Sequence, residues 1–186
     1  ESKPRGHKKL TDWARQMGIQ VRRWLPNRRI ILVADSSYAA LELLNSLLTL
    51  PKPVYMVTQL RLDAALYEPA PELKRRPVGR PRKKGKRLPK LSDVLTNEQT
   101  IWQKVTVDNW YGQGPTQVEI TSDTAVWYHN GMPVVPIRWV LIRDPKGKFD
   151  TRALLCTDQS ADPVQILKWF VRRWQVEVTF QEVRTH

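Results

Sequence analysis

The sequence predicts a mixed α/β fold in which a β-rich insertion separates the core from its last helix. Two short and largely apolar runs, 30–34 and 54–58, have the length and composition of strands buried on both faces of a sheet. Amphipathic stretches precede and follow the first run, and a longer one ends the chain. With 186 residues, 41% of them hydrophobic, the chain can bury a core of this kind.

Caps and prolines set the ends of the predicted elements. Thr11 is expected to cap a first helix that ends near Trp24. Ser36 or Ser37 is expected to cap a second helix over about 38–50, which two prolines then stop. Four more strands are expected over 102–110, 117–128, 134–143 and 148–156, and a last helix that opens at Ser160 or Asp162 with Pro163 in its first turn.

The composition changes sharply after residue 68. Positions 74–90 hold ten basic residues and no acidic one, and their prolines and glycines predict an irregular, exposed loop. We therefore divide the chain into a partial core over 1–68, a basic loop with a β-rich insertion over 69–158, and a core helix over 159–186.

The charge and the cysteine count limit the classes of function. A net charge of +13 favours a polyanion partner, most simply nucleic acid. The single cysteine, Cys156, excludes an internal disulfide and fits a reducing compartment such as the cytoplasm. The histidines are scattered, which argues against a zinc site. Every apolar run is too short to cross a bilayer, so no membrane partner is expected.

The last helix carries charges on the side where a helix normally packs. At about 100° per residue, Phe170, Arg173, Glu177 and Arg184 share a narrow arc between two apolar flanks, opposite the polar face. Burying unpaired charges is costly. These side chains therefore either pair internally, as Arg173 and Glu177 would at i, i+4 spacing, or face a cleft that holds a ligand.

Asp35 follows the first apolar strand at its carboxyl end, where α/β sheets collect their sites. It is either a turn or cap residue or a cation ligand. Carboxylates that converge on divalent metal ions serve phosphoryl transfer, because one ion activates the attacking oxygen and the other stabilises the leaving oxygen. Asp35 and Glu177 are the candidates for this role.

The spacing Phe170-x2-Arg173-x3-Glu177-x6-Arg184 resembles the Y-(2)-R-(3)-E-(6)-K signature of bacterial insertion-sequence DDE transposases. The stretch ILVADSSY resembles the strand that carries their second catalytic Asp. The resemblance implies an RNase H-like core that cuts double-stranded DNA at transposon ends and joins them to target DNA, using Mg²⁺ or Mn²⁺. It also implies a homodimer on DNA and a location at the bacterial nucleoid.

The same resemblance assigns a role to each position. Asp35 is the second metal ligand and Glu177 the third. Arg173 orients Glu177 or contacts a DNA phosphate. Arg184 stands at the lysine position of the signature and contacts the DNA backbone, whereas Phe170 stands at the tyrosine position and lacks the hydroxyl.

The first catalytic Asp of that family has no counterpart before Asp35, because Asp12 falls at the start of a predicted helix. The chain begins at Glu1 rather than Met, and we interpret it as a piece of a longer transposase. We expect the piece alone not to cleave DNA. A DNA-binding module without catalysis and a metal-dependent nuclease of the same fold are the alternative interpretations.

The basic loop contains a Gly-Arg-Pro core that resembles an AT-hook, whose extended segment lies in a narrow minor groove. The alternative is a polybasic loop that contacts phosphates without sequence preference. In both cases we expect DNA binding with a strong salt dependence from six residues: Arg80, Arg82, Lys83, Lys84, Lys86 and Arg87.

Overall fold

The computed structural model describes the backbone of residues 8–71, 81–112 and 114–185, and the side chains up to residue 174. The predicted fold class is confirmed: the chain has an RNase H-like α/β core, with helices on both faces of one mixed sheet. The helices are α1 (Leu10–Trp24), α2 (Leu41–Leu48), α3 (Leu91–Thr96) and α4 (Pro163–Thr185). The strands are β1 (Ile30–Ala34), β2 (Val54–Leu60), β3 (Leu66–Tyr67), β4 (Gln103–Val107), β5 (Thr116–Trp127), β6 (Val135–Arg143) and β7 (Arg152–Cys156).

The strands follow the order β1-β2-β7-β6-β5-β3, and β4 pairs with the first half of β5. β1 and β2 are parallel, with Ile30 opposite Val54, and every other pairing in the described sheet is antiparallel. The strands of the predicted insertion therefore continue the core sheet. The boundaries at residues 68 and 158 stay a prediction from the sequence.

Strand β1 lies at one edge of the sheet, and among the described residues it pairs with β2 alone. Only Ile30 is buried, and the other four residues are half-buried. Both faces of β1 are covered as expected, because Leu32 and Ala34 pack on the side of α1 and α2 and Ile31 and Val33 pack on the side of α4, but the burial is only partial because an edge strand lacks a neighbour on one side. The burial expected of such a run is fuller in β2, where five of the seven residues are buried.

The two faces of the sheet carry different helices. α1 and α2 cover one face, where Gly18 of α1 approaches Leu47 so closely that an added Cβ would lie 2.9 Å from the leucine side chain. α4 covers the other face and buries Ile166, Leu167 and Phe170 there. The first half of α4 therefore packs on the sheet through its apolar side chains.

Several predicted helix ends shift. α1 begins at Leu10, so Thr11 lies inside the helix and does not cap it. Residues Ser36–Tyr38 form a 3-10 turn, which delays the start of α2 to Leu41. The opening of α4 is confirmed, since the carboxylate of Asp162 accepts the backbone N–H of Gln165 at 2.9 Å. Helix α3 and the two-residue strand β3 were not predicted, because both are too short to show a period.

Helix α1 exposes an apolar stripe on the side away from α2. Trp13, Met17 and Trp24 lie within one narrow arc of the helix and are 51%, 67% and 70% exposed. Thr11 and Arg15 face α2 instead, where they border the same surface cavity as residues of that helix. These three side chains therefore form an exposed apolar stripe on α1. None of the described helices is long and apolar enough to span a bilayer.

Candidate functional site

Asp35 lies where β1 ends, on the face of the sheet that α4 covers. The neighbouring odd positions, Ile31 and Val33, pack into the same cluster as α4, and the alternation of a strand carries Asp35 to that side. Its backbone carbonyl accepts the hydroxyl of Thr58 at 2.6 Å and the N–H of Tyr38 at 3.0 Å. The backbone is thereby fixed between β1 and β2, while the carboxylate remains 59% exposed.

Arg173 joins α4 to Asp35. Its Nη1 lies 2.9 Å from Oδ1 of Asp35, and its side chain is only 21% exposed. One turn earlier, Phe170 is 3% exposed and its ring centroid lies 5.5 Å from the Arg173 guanidinium carbon. Phe170 therefore anchors α4 in the core, and Arg173 emerges at the edge of that core beside Asp35.

The structure brings together three of the five catalytic candidates, namely Asp35, Phe170 and Arg173. Glu177 and Arg184 belong to α4, which runs to Thr185, but their side chains lie outside the described residues. Glu177 follows Arg173 by about one helical turn. Its role as a metal ligand, its pairing with Arg173 and the DNA contact of Arg184 stay predictions.

A cleft of about 670 Å³ opens beside Arg173, between α4 and the tips of the β4–β5 and β6–β7 connections. We call it the α4 cleft. Its aromatic lining consists of Trp110, Tyr111, Phe149 and Trp174. Its cations are Lys146, Lys148, Arg152 and Arg173.

The walls of the α4 cleft are held by ring contacts. Tyr111 meets Trp174 edge to face, with the ring centroids 5.8 Å apart, and Nη1 of Arg152 donates to its hydroxyl at 3.1 Å. The φ angle of Tyr111 is 50°, in the left-handed region that costs a tyrosine free energy. Trp110 is 5% exposed and forms the floor, 4.7 Å from the ring centroid of Phe149.

Sequence reasoning missed the α4 cleft. Tyr111 lies 41 residues before Arg152, and it meets Arg152 and Lys148 only because β5, β6 and β7 pair as neighbours. The sequence does show aromatic and basic residues at the ends of these strands, but such residues are equally expected in exposed turns.

The basic loop is partly attached to the sheet. The backbone N–H of Glu68 donates to Lys86 O and that of Gly85 donates to Glu68 O, both at 2.8 Å, next to an isolated β-bridge between Tyr67 and Arg87. Nζ of Lys84 lies 3.3 Å from the ring centroid of Tyr67. Lys84 therefore holds the loop to the edge of the sheet.

The other predicted DNA-binding residues differ in what the structure describes. Arg82, Lys83, Lys86 and Arg87 are exposed, so all four present their charge to solvent. Arg82 and Lys83 border a surface cavity with Asn130 of the β5–β6 turn. Arg80 lies outside the described residues. Their binding to DNA stays a prediction.

The described side chains offer little for other chemistry. They contain no group of three or more His, Cys, Asp or Glu residues that could hold a metal ion. Glu177 is not among these side chains. Burial raises the pKa of the Cys156 thiol to about 11, so this cysteine is neutral at pH 7 and unsuited to act as a nucleophile.

A family model described as DDE superfamily endonuclease matches residues 1–116. The matched stretch contains β1, β2 and Asp35, whereas α4 and Glu177 lie beyond it. No curated protein matches the chain. Members of this family act on DNA and generally use divalent metal ions. The match covers more than half of the chain, and the chain therefore belongs to the DDE superfamily endonucleases.

Proposed function

We propose that the chain is the catalytic region of a DDE transposase, which cuts DNA at transposon ends and joins those ends to target DNA as a homodimer. The observation that carries this proposal is the contact between Asp35 and Arg173. It joins the end of an apolar strand to the helix that bears the transposase-like spacing. An arrangement of this kind is expected when a strand carboxylate and a helix carboxylate serve one site.

The residues present suit a hard divalent cation, with Mg²⁺ or Mn²⁺ as the candidates. Asp35 offers exposed carboxylate oxygens at the end of β1, and Glu177 would supply the second carboxylate from α4. A bound ion of this type activates an attacking oxygen and stabilises a leaving oxygen. The protein's part is to hold Asp35 through Thr58 and to keep the Arg173 cation within reach of a DNA phosphate.

We infer that a third carboxylate, the first Asp of the family pattern, lies on a strand that pairs with the open edge of β1. Two features support this inference. The described part of the sheet leaves one side of β1 without a partner, and α1, which approaches β1 where Gly18 meets Leu32, exposes the apolar side chains of Trp13 and Met17. A strand placed there would both pair with β1 and cover Trp13 and Met17.

The metal part of the proposal can be tested with the 186-residue chain. Electron paramagnetic resonance of free Mn²⁺ measures how much of the ion the protein binds. We expect Asp35→Asn and Glu177→Gln each to weaken Mn²⁺ binding by more than about tenfold, since even partners of metal ligands are worth this much. The matched control is Asp63→Asn, which removes an exposed carboxylate paired with Arg61.

The same preparations also test cleavage. Supercoiled plasmid should not be nicked by the 186-residue chain with Mn²⁺ or Mg²⁺, because the third carboxylate is needed. Equal Mn²⁺ binding by Asp35→Asn and the unchanged chain would refute the metal site. Robust nicking by the chain itself, lost in Asp35→Asn, would show that no third carboxylate is required.

We further propose that the exposed cations of the basic loop bind DNA phosphates, together with Arg80. Replacing Arg82, Lys83, Lys86 and Arg87 by alanine removes four positive charges from exposed positions. The slope of log affinity against log salt should then become shallower by up to about 3.6, at about 0.9 for each phosphate that the protein no longer neutralises. Fluorescence anisotropy with a labelled duplex at several salt concentrations measures the slope.

The control for this test is Lys84→Ala, which removes a cation held against Tyr67. It should change the slope less than any other single substitution in the loop. An unchanged slope in the fourfold variant would exclude the basic loop from DNA binding.

A further inference from the structure

Arg173 lies between the carboxylate of Asp35 and the cationic α4 cleft. The inference drawn from this position rests on the proposed role of Asp35 as a metal ligand. On one side its Nη1 contacts the carboxylate of Asp35 at 2.9 Å. On the other side it lines the α4 cleft together with Lys146, Lys148 and Arg152. A guanidinium in this position can donate to the carboxylate or to an anion in the cleft.

The α4 cleft has an excess of positive charge. Among the described residues that line it, the one acidic residue is Asp144, which accepts the backbone N–H groups of Lys146 and Lys148 at 2.8 and 2.6 Å. That carboxylate is thus engaged in its own turn. The lysine side chains are exposed, and like charges placed close together repel one another. The cleft is therefore suited to a ligand with several negative charges.

The aromatic side chains of the α4 cleft indicate which class of polyanion it can bind. Tyr111, Phe149 and Trp174 are half-buried and border the same space as the cations. Aromatic surface beside a basic groove suits sugars and bases joined by phosphates, as in a nucleic-acid strand. The volume of about 670 Å³ exceeds what an inorganic phosphate would fill.

We propose that the phosphates of a DNA strand bind in the α4 cleft and draw Arg173 away from Asp35, which opens that carboxylate to a divalent metal ion. Without DNA, the Arg173 cation contacts the carboxylate of Asp35 and repels a metal ion that approaches the same carboxylate. With DNA, the phosphate takes over the guanidinium. DNA and metal then strengthen each other's binding, and thermodynamic linkage requires the effect to be equal in both directions.

The test measures Mn²⁺ binding by electron paramagnetic resonance, with the 186-residue chain alone, with a 20-base-pair duplex and with inorganic phosphate. Duplex should tighten Mn²⁺ binding at least about fivefold, the lower end of ordinary coupling between two sites. The same duplex with Asp35→Asn corrects for Mn²⁺ bound by DNA itself. Inorganic phosphate should have a smaller effect, and an equal effect would mean that free phosphate is the ligand and would overturn the assignment to DNA.

Arg173→Ala should bind Mn²⁺ more tightly than the unchanged chain without DNA and gain little from duplex. Arg172→Ala is the matched control, because it removes the same charge one position away, from an exposed site. It should behave like the unchanged chain.

Lys146→Ala combined with Lys148→Ala changes only exposed side chains, so it tests the cleft without disturbing the core. It should reduce the factor by which duplex tightens Mn²⁺ binding. A gain that survives in both Arg173→Ala and the lysine variant would overturn the inference. If Asp35→Asn bound Mn²⁺ as tightly as the unchanged chain, the proposed function itself would be overturned.

Discussion

Each end of strand β1 is held by an ion pair. The residue next to the strand is the cation in one pair and the anion in the other. Before the strand, Arg29 contacts Asp158, which lies shortly before α4. After the strand, Asp35 contacts Arg173 within α4. The edge strand is thus tied to the same region of the fold at both ends, once through its own cation and once through its own anion.

The two carboxylates differ in what surrounds them. The side chain of Asp158 is 8% exposed and accepts the N–H and the hydroxyl of Ser160 at 3.0 and 2.6 Å besides the arginine contact. The side chain of Asp35 is 59% exposed. A buried carboxylate whose oxygens are already satisfied stabilises the fold, whereas an exposed one beside a cation can exchange that cation for another.

The difference between the two ends predicts unequal effects on stability. Asp158→Ala should lower the free energy of unfolding by about 1–3 kcal/mol, because it removes buried hydrogen bonds and leaves their donors without a partner. Asp35→Ala should lower it by about 0–1 kcal/mol, the range for pairs exposed to solvent. Urea unfolding followed by circular dichroism measures both.

A double-mutant cycle for each pair separates the ion-pair energy from the rest of the loss. Arg29→Ala and Arg173→Ala complete the two cycles. The coupling energy should be larger for the pair at Asp158 than for the pair at Asp35. Equal losses at the two ends would mean that Asp35 is as structural as Asp158 and that the two carboxylates do not differ in role.

A smaller effect is expected from pH. Burial alone raises the pKa of Asp158, but hydrogen bonds from Ser160 and Arg29 outweigh it and hold this pKa below its usual value. Asp158 therefore adds stability above the pKa of an unfolded Asp, about 3.9, and this contribution is lost as the pH falls through the lower folded value. The stability difference between the unchanged chain and Asp158→Asn should be constant from pH 7 to about pH 5 and shrink below about pH 4. Urea midpoints across this range measure it, and a difference that grows in acid would contradict the assignment.

The sequence was most informative where one residue type decides the local structure. The apolar run of β1 and the Asp162–Pro163 opening of α4 are both at the predicted places. Asp35 was found by the same local logic, because a carboxylate after an apolar strand stands out. Arg173 was singled out by its position on the helix, whereas its contact with Asp35 was not predicted.

What the sequence could not supply depends on long-range pairing. β1 is only half-buried because it lies at the edge of the sheet. The strand order, in which β2 pairs with β7 on its other side, sets that position, and the sequence does not reveal this order. The attachment of Lys84 to Tyr67 requires the basic loop to return to the chain that precedes it. Composition predicts that such a loop is polar and irregular, but it carries no information about what the loop touches.

The apolar stripe of α1 also gives the chain an optical property. Trp13 and Trp24 are 51% and 70% exposed, whereas Trp110, Trp127 and Trp139 are buried. Emission from tryptophan in water lies at longer wavelength than emission from tryptophan in a core, and dissolved quenchers reach only the exposed rings. Trp13 and Trp24 therefore contribute strongly to the long-wavelength emission of the chain, and a strand or subunit that covers them will shift that emission to shorter wavelength without a label being attached.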